Sequence, residues 1–294
     1  MNALITISQV FIAAALAPLL SGIIRKMKNI LRMRKGAPVL QPYYNLAKLS
    51  GKDEVISEDT SWIFRATPFV LLISVLVAFL LVPLNGSGRV FPHIGDIILV
   101  IFMPALGRFF LSLAGLDAGS AFGGMGSSRE MFISSLVEPV MLLSLFVVAL
   151  NSGSTNPLVM AGRTTIRLSG IIAALAFFMA MIAETSRIPV DNQETHLELT
   201  MVHEAMILEY SGRSLAMIEF AAHLKQMLFF TILASIMIPF GGITAFILKI
   251  LAIAAIVSVL EVSVAKMRLF RVVDFVMFAF ALSIMAMVAR AAGL

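Results

Sequence analysis

Apolar residues in this chain run in long unbroken stretches separated by charged or turn-forming segments. Stretches able to cross roughly 30 Å of hydrocarbon as a helix lie near residues 3–24, 66–84, 97–116, 131–150, 164–183, 217–238, 243–264 and 272–291. They predict an all-α fold, a polytopic transmembrane helical bundle of about eight spans. Asn85-Gly86-Ser87-Gly88 and Asn151-Ser152-Gly153-Ser154 are turn chemistry between spans. The segments 25–65, 117–130 and 184–216 are longer and richer in charge. No repeat, low-complexity tract or soluble domain boundary interrupts the pattern, so residues 1–294 read as a single membrane domain.

Charge gives this pattern a direction. Threading the spans alternately places 25–65, 117–130, 184–216 and 265–271 on one side with 15 Lys and Arg, and leaves only Arg89 and Arg163 in the loops opposite. The basic side is expected to be cytoplasmic, with both termini outside. The first basic cluster (Arg25, Lys26, Lys28, Arg32, Arg34, Lys35) follows its apolar run, whereas a signal peptide carries its charge ahead. That run therefore reads as a retained span. Merging the two spans around Pro239-Phe240-Gly241-Gly242 would move Lys266, Arg268 and Arg271 outside, and is disfavoured.

Composition agrees. Sixty per cent of the 294 residues are hydrophobic, 13% are charged and the mean hydropathy is +0.98, against about 25% charged residues in soluble domains. Lipid is the expected solvent, and a soluble enzyme is excluded. The net charge of +5 belongs to membrane topology, and no nucleic-acid partner is expected. There is no cysteine, so neither a disulfide nor a cysteine-ligated iron–sulfur cluster can form within the chain.

The chemistry concentrates in 184–219, where Glu184, Asp191, Glu194, Glu198, Glu204, Glu209 and Glu219 face only Arg187 and Arg213. Pro189 and Asp191 resemble a helix start with Asp191 as N-cap and Glu194 reaching back. On such a helix Glu194, Glu198 and Glu209 share one side, and His196 and His203 the other. The segment is either a solvated acidic face, a line of protonatable groups entering the membrane, or a dock for a basic partner. Arg108, Glu138, Glu219, Lys225, Lys249, Glu261 and Asp274 lie inside predicted spans. A charge at mid-bilayer costs about 2.5–3.5 kcal/mol on insertion scales, so each needs a partner or a wet cavity. Glu219 and Lys225 are too far apart along one helix to pair, and should face the bundle interior. Lys249 could snorkel, and Glu261 and Asp274 lie near inner span ends. Proton relay competes with structural ion pairing for the set.

Other patterns carry less. The loop Gly123-Gly124-Met125-Gly126-Ser127-Ser128-Arg129-Glu130 lacks the Gly-Lys-Ser/Thr ending of a phosphate cradle, and position 207 is Ile where a His203-Glu204 zinc motif needs His. Ser127 and Glu130 suit a capping box opening the next span. The four His lack metal spacing, and the 19 Met are packing material. Pro42 to Leu49, with Tyr43, Tyr44 and nearby Trp62, predicts an interfacial amphipathic helix.

Ala183-Glu184-Thr185-Ser186-Arg187-Ile188-Pro189-Val190-Asp191, then Glu198-Leu199, then Glu209-Tyr210-Ser211-Gly212, resembles the longest cytoplasmic loop of NADH dehydrogenase subunit 1. In respiratory complex I that loop helps build the quinone cavity and feeds a chain of acidic residues. Gly123-Gly124 through Ser128-Arg129 with Glu138, and Arg34-Lys35-Gly36-Ala37-Pro38 with Leu40-Gln41-Pro42 and Lys48-Leu49, resemble two further inner segments of that family. The stretch Thr195-His196-Leu197-Glu198-Leu199-Thr200 with His203-Glu204-Ala205-Met206 departs from the quinone branch. It is similar to the membrane subunits of energy-converting NiFe hydrogenases, formate hydrogenlyase and Ech-type enzymes among them.

This resemblance implies a proton path through Glu138, Glu184, Asp191, Glu198, Glu209 and Glu219, with Arg187, Lys225 and Arg108 setting the local field. It implies docking of partners at Gly124, Arg129, Glu194, His203 and Glu204. It implies partners in a prokaryotic cytoplasmic membrane: NiFe hydrogenase large and small subunits, an iron–sulfur protein and an antiporter-like membrane subunit. No cofactor or metal is expected on this chain, since the NiFe centre and iron–sulfur clusters would sit on those partners. The competing readings are a quinone-binding subunit of an NADH- or ferredoxin-linked oxidoreductase and a stand-alone ion transporter.

Overall fold

A chain with so few polar residues must satisfy its backbone within helices wherever lipid replaces water. The computed structural model describes residues 2–57, 60–82, 96–163, 167–191, 201–238 and 242–293, with side chains from Ser8 onward. Every regular element among them is helical: α1 (Asn2–Leu31), α2 (Gln41–Ser50), α3 (Trp62–Leu81), α4 (Ile97–Asp117), α5 (Ala121–Ser152), α6 (Pro157–Arg163), α7 (Leu168–Glu184), α8 (His203–Ile207), α9 (Gly212–Ile232), α10 (Ile243–Ser263) and α11 (Leu269–Ala291). Seven are long and apolar enough to cross a membrane: α1, α3, α4, α5, α9 through a π-helical turn at Leu233–Met237, α10 and α11. The eighth expected span, α7, is apolar but only 17 residues long, the short end of the range for a crossing.

The surface is that of a membrane protein. Phe11, Ile73, Phe109, Ile247 and Phe278 are exposed along the long helices, positions that lipid or a neighbouring subunit would cover. Inside, α3 lies along α4, α7 packs between α5 and α11, and α1 packs against α9 and α10.

The glycine-rich segment corrects the sequence expectation. It is not a loop before a span at 131: α5 already begins at Ala121, and its N-cap is Ser120, whose Oγ accepts from the Gly123 amide at 3.2 Å. No Ser127–Glu130 capping box forms. Ser127 Oγ donates instead to the Ser112 carbonyl of α4 at 2.8 Å. The glycines serve close helix contact, with no turn among them. A Cβ on Gly123 would lie 2.2 Å from the Gly115 carbonyl oxygen, and one on Gly126 2.8 Å from Ala205 Cβ. Only hydrogen at these positions lets α5 touch α4 and α8.

Elsewhere the helices are cut as their chemistry requires. α9 and α10 are separate helices, with Gly242 at φ 94° immediately before α10. Residues 239–241 of the turn motif lie outside the described residues. Lys249 of α10 donates to the carbonyls of Ala234 and Ile238, acceptors left over where α9 ends in its π turn. Its charge therefore lies against backbone dipoles of the neighbouring helix. The amphipathic α2 forms as expected, with Pro42 in its first turn. Ser211 clamps the strand-like stretch after α2: its Oγ accepts from the Val55 amide at 2.8 Å and donates to the Val55 carbonyl at 3.0 Å. Ser61 donates from both N and Oγ to Asp117, at 2.8 and 2.9 Å. The first and third inner segments are thereby strapped together.

Gly123→Ala is expected to lower unfolding stability in detergent by about 1–3 kcal/mol, the usual penalty for overpacking. Gly124→Ala, whose added carbon meets nothing within 4 Å, is expected to leave it within about 1 kcal/mol. Thermal unfolding of the two variants side by side checks this.

Candidate functional site

Two sets of buried charges face one cavity. The first centres on Arg108, about midway along α4 and 4% exposed. Its guanidinium holds Glu138 of α5 through one terminal nitrogen and Glu184, the last residue of α7, through the other. Lys225 of α9 lies 3.5 Å from the free oxygen of Glu184. Four helices thus contribute one charge each, two of each sign. The Glu184 and Arg108 side chains are almost fully buried, whereas that of Glu138 is 29% exposed.

The second set lies across the cavity. Glu261 of α10 binds Lys28 of α1 at 2.7 Å and Arg187 at 2.6 Å. Arg187 also donates to Gln226 Oε1 at 2.7 Å, and that oxygen accepts from Ser21 Oγ at 2.9 Å. His223 Nδ1 hydrogen-bonds the same Ser21 hydroxyl at 2.9 Å. Asp191, 1% exposed, accepts from the Val202 and His203 amides at 3.3 and 3.2 Å and from Lys266 at 2.6 Å. Asp191 therefore caps the start of α8. The long helix expected to run from it through Glu209 is not what the described residues form: α8 ends at Ile207, and Glu209 follows in an exposed turn.

The cavity encloses about 290 Å³. Half of its twenty lining residues ionise: Arg25, Lys28, Arg187, Asp191, His203, Glu204, Glu219, His223, Lys225 and Glu261. Pro42 and Asn45 of α2 close one side. Burial, with Asp191 and Glu219 nearby, lifts the Glu204 carboxyl to about 7. Burial beside Lys225 pushes His203 down to about 4, partly opposed by Asp191. At neutral pH the cavity thus presents a neutral imidazole and a carboxyl poised to exchange its proton.

Of the residues singled out from sequence, Arg108, Glu138, Glu184 and Lys225 come together in the first set, and Arg187 joins the second. Asp191, Glu219, His203 and Glu204 line the cavity. His203 is buried and Arg129 donates to the Met201 carbonyl at 3.0 Å, so neither presents a free docking surface. Gly124 has open space beside it. Glu209 is exposed and stands apart from the cavity. Glu194, His196 and Glu198 lie outside the described residues. Asp274, near an inner span end, is exposed.

Sequence reasoning missed Lys28 and Lys266, taken as topological charges, and Glu261, taken as a span-end residue. Gln226, Ser21 and Glu130 also went unrecognised. For Glu261 the signal was present: it continues the buried stripe Ile250, Ala254, Val257 at helical spacing.

The family described as NADH dehydrogenase matches residues 3–291. Hydrogenase-4 component C of Escherichia coli (strain K12) is 34% identical, with 98% of this chain and 96% of that protein covered. Formate hydrogenlyase subunit 4 of the same strain is 32% identical, with 92% of each covered. A chain of the membrane-bound sulfane sulfur reductase, an archaeal respiratory membrane complex, shares the fold at a TM-score of 0.83 and 20% identity, with 97% of this chain and 99% of that chain covered.

Two outcomes follow from the geometry. Arg108→Met leaves Glu138 and Glu184 without their shared counter-charge, and is expected to lower stability by about 3–5 kcal/mol. Adding Glu138→Gln and Glu184→Gln should recover much of that loss in thermal unfolding. Separately, the folded protein holds the Glu204 proton up to about pH 7, whereas an unfolded chain releases it near the ordinary value of 4.5. This contribution to stability is complete below pH 4.5 and fades as pH rises through 7. Glu204→Gln should flatten that part of the stability–pH curve.

Proposed function

The chain belongs to the NADH dehydrogenase family, and from that premise we propose that it is the membrane-anchoring, proton-coupling subunit of a complex I-related NiFe hydrogenase in a prokaryotic cytoplasmic membrane. One observation carries the reading. Ionisable groups run without a gap from the cavity wall at Lys225 through Glu184 and Arg108 to Glu138, inside helices built for lipid. Charges in such a place are expensive and are kept for relays or ion paths.

Its relatives carry component and subunit names within hydrogenase-4 and formate hydrogenlyase, which favours a role inside a larger assembly. The redox chemistry then belongs to partners: hydrogenase large and small subunits and an iron–sulfur protein at the cytoplasmic face, holding the NiFe centre and the clusters. An antiporter-like membrane subunit would continue ion transfer beyond Glu138. This chain, with no cysteine, contributes protonatable groups and a scaffold. Electron transfer near the cavity would change its potential, and Glu204 with its neighbours would answer by taking up or releasing protons.

A quinone-binding subunit is the second reading, since the family's name comes from a dehydrogenase of that kind and a cavity is present. Small-molecule sites are lined mainly by apolar and aromatic groups, and this cavity is half ionisable. That lining favours water and protons over a quinone ring.

In membrane vesicles that retain the assembled complex, Glu184→Gln and Glu138→Gln are each expected to slow proton-coupled turnover on the order of a hundredfold, the lower range for a positioned proton-transfer group. Both subunits should still be inserted, as immunodetection would show. Wild-type coupling in both variants would refute the path, and quinone reduction sensitive to cavity substitutions would favour the second reading.

A further inference from the structure

Glu130 has no part in the motif reading above once the capping box is set aside. It sits in the first third of α5, 6% exposed. Its charge acts on Lys225 and Asp191, which line the cavity, and on Arg108 and Glu184, which lie behind it. Among the described residues, these four come from α4, α7, α9 and the connection after α7, every side that packs near Glu130. Unlike Glu138, Glu184, Asp191 and Glu261, it forms no ion pair. Along α5, Ser134 and Glu138 follow at four-residue steps, about 6 Å apart along the axis. Ser134 is itself 5% exposed, with its Oγ donating to the Glu130 carbonyl at 2.7 Å. The turn before Glu130 is fixed by the Gly126 contact with α8 and the Ser127 bond to α4.

We propose that Glu130 is the proton carrier between the cavity and the Arg108 cluster. Its neighbours are divided between the two, and it is the buried carboxyl that can gain or lose a proton without breaking a salt bridge. Glu184 and Glu138 are both clasped by Arg108, so either must be released before it takes a proton. A proton from the cavity adds to the Glu130 carboxylate and makes it neutral. The neighbouring Arg108 then loses one of the anions around it and grips the other carboxylates more closely. When the proton passes on to Glu184 or Glu138, Glu130 returns to its carboxylate form and that acceptor becomes neutral. No electrons move, and one proton has crossed from the cavity into the bundle. The assignment rests on the proton-coupling reading above and adds to it the group that joins its two halves.

The test uses the intact complex in membrane vesicles and measures protons translocated per hydrogen formed. Glu130→Gln, which cannot ionise, is expected to lower coupled proton transfer on the order of a hundredfold. Glu130→Asp should restore most of it, with a displaced pH profile because the shorter acid sits differently among Arg108, Lys225, Glu184 and Asp191. Ser128→Ala, an exposed position on the same helix, should behave as wild type. Full coupling in Glu130→Gln would overturn the assignment. So would equal loss in Gln and Asp variants of an assembled complex, which would mark a packing role. Should Glu130→Gln fail to assemble, Glu130→Asp decides alone: a wild-type pH profile rejects the proposal and a displaced one supports it. If Glu130→Gln couples normally while Glu184→Gln does not, the proposal falls and the wider reading stands. If neither variant loses coupling, the wider reading falls with it.

Discussion

A guanidinium held in the middle of an oily bundle cannot lose its charge and cannot stay there alone. Arg108 meets this constraint by drawing Glu138 and Glu184 onto its two ends, and Lys225 balances the remaining oxygen of Glu184. Helices α4, α5, α7 and α9 must converge for those contacts to exist. Replacing such a buried set by apolar residues is often neutral or stabilising in other proteins, so folding alone gives little reason to keep it. Its retention in this fold is best understood as a requirement of ion transfer.

The second set gives the cavity its other wall. Glu261 is held by two cations from different parts of the chain, and Arg187 and Gln226 tie that pair to α1 and α9. Helix α9 serves both sets through consecutive residues, Lys225 toward Glu184 and Gln226 toward Arg187. A shift or rotation of α9 would therefore disturb both walls together. Glu204 and His203 of the short α8 border the same space and depart from their ordinary proton affinities because water is largely excluded there. The strap through Val55 and Ser211 fixes the segment that precedes α9.

Much of this was legible in the residues, and what escaped did so for physical reasons. Apolar run length marked the spans because hydrocarbon thickness sets it, and Arg108, Glu138 and Lys225 stood out as charges within those runs. Pairing did not follow, since Glu184 lies 76 residues from Arg108 and spacing along one helix cannot reveal it. Lys28 and Lys266 satisfied the positive-inside pattern, which hid their second use as counter-ions to Glu261 and Asp191. Gly123 and Gly126 were read as a loop because glycine serves turns and close helix contacts alike. The contact with Gly115 and α8 decides between them. That misreading also placed Glu130 at a helix start, when it lies on the buried stripe that includes Ile133, Ser134 and Val137.

The account turns on protons crossing the bilayer as a consequence of electron transfer in the assembly that holds this chain. The most direct measurement reconstitutes the purified wild-type complex in sealed liposomes, supplies a reductant to its redox subunits, and follows lumenal pH alongside hydrogen formation. Proton accumulation that tracks hydrogen formation and collapses with a protonophore is the expected result. Hydrogen formed at full rate with no pH gradient, in liposomes shown to be tight, would contradict it.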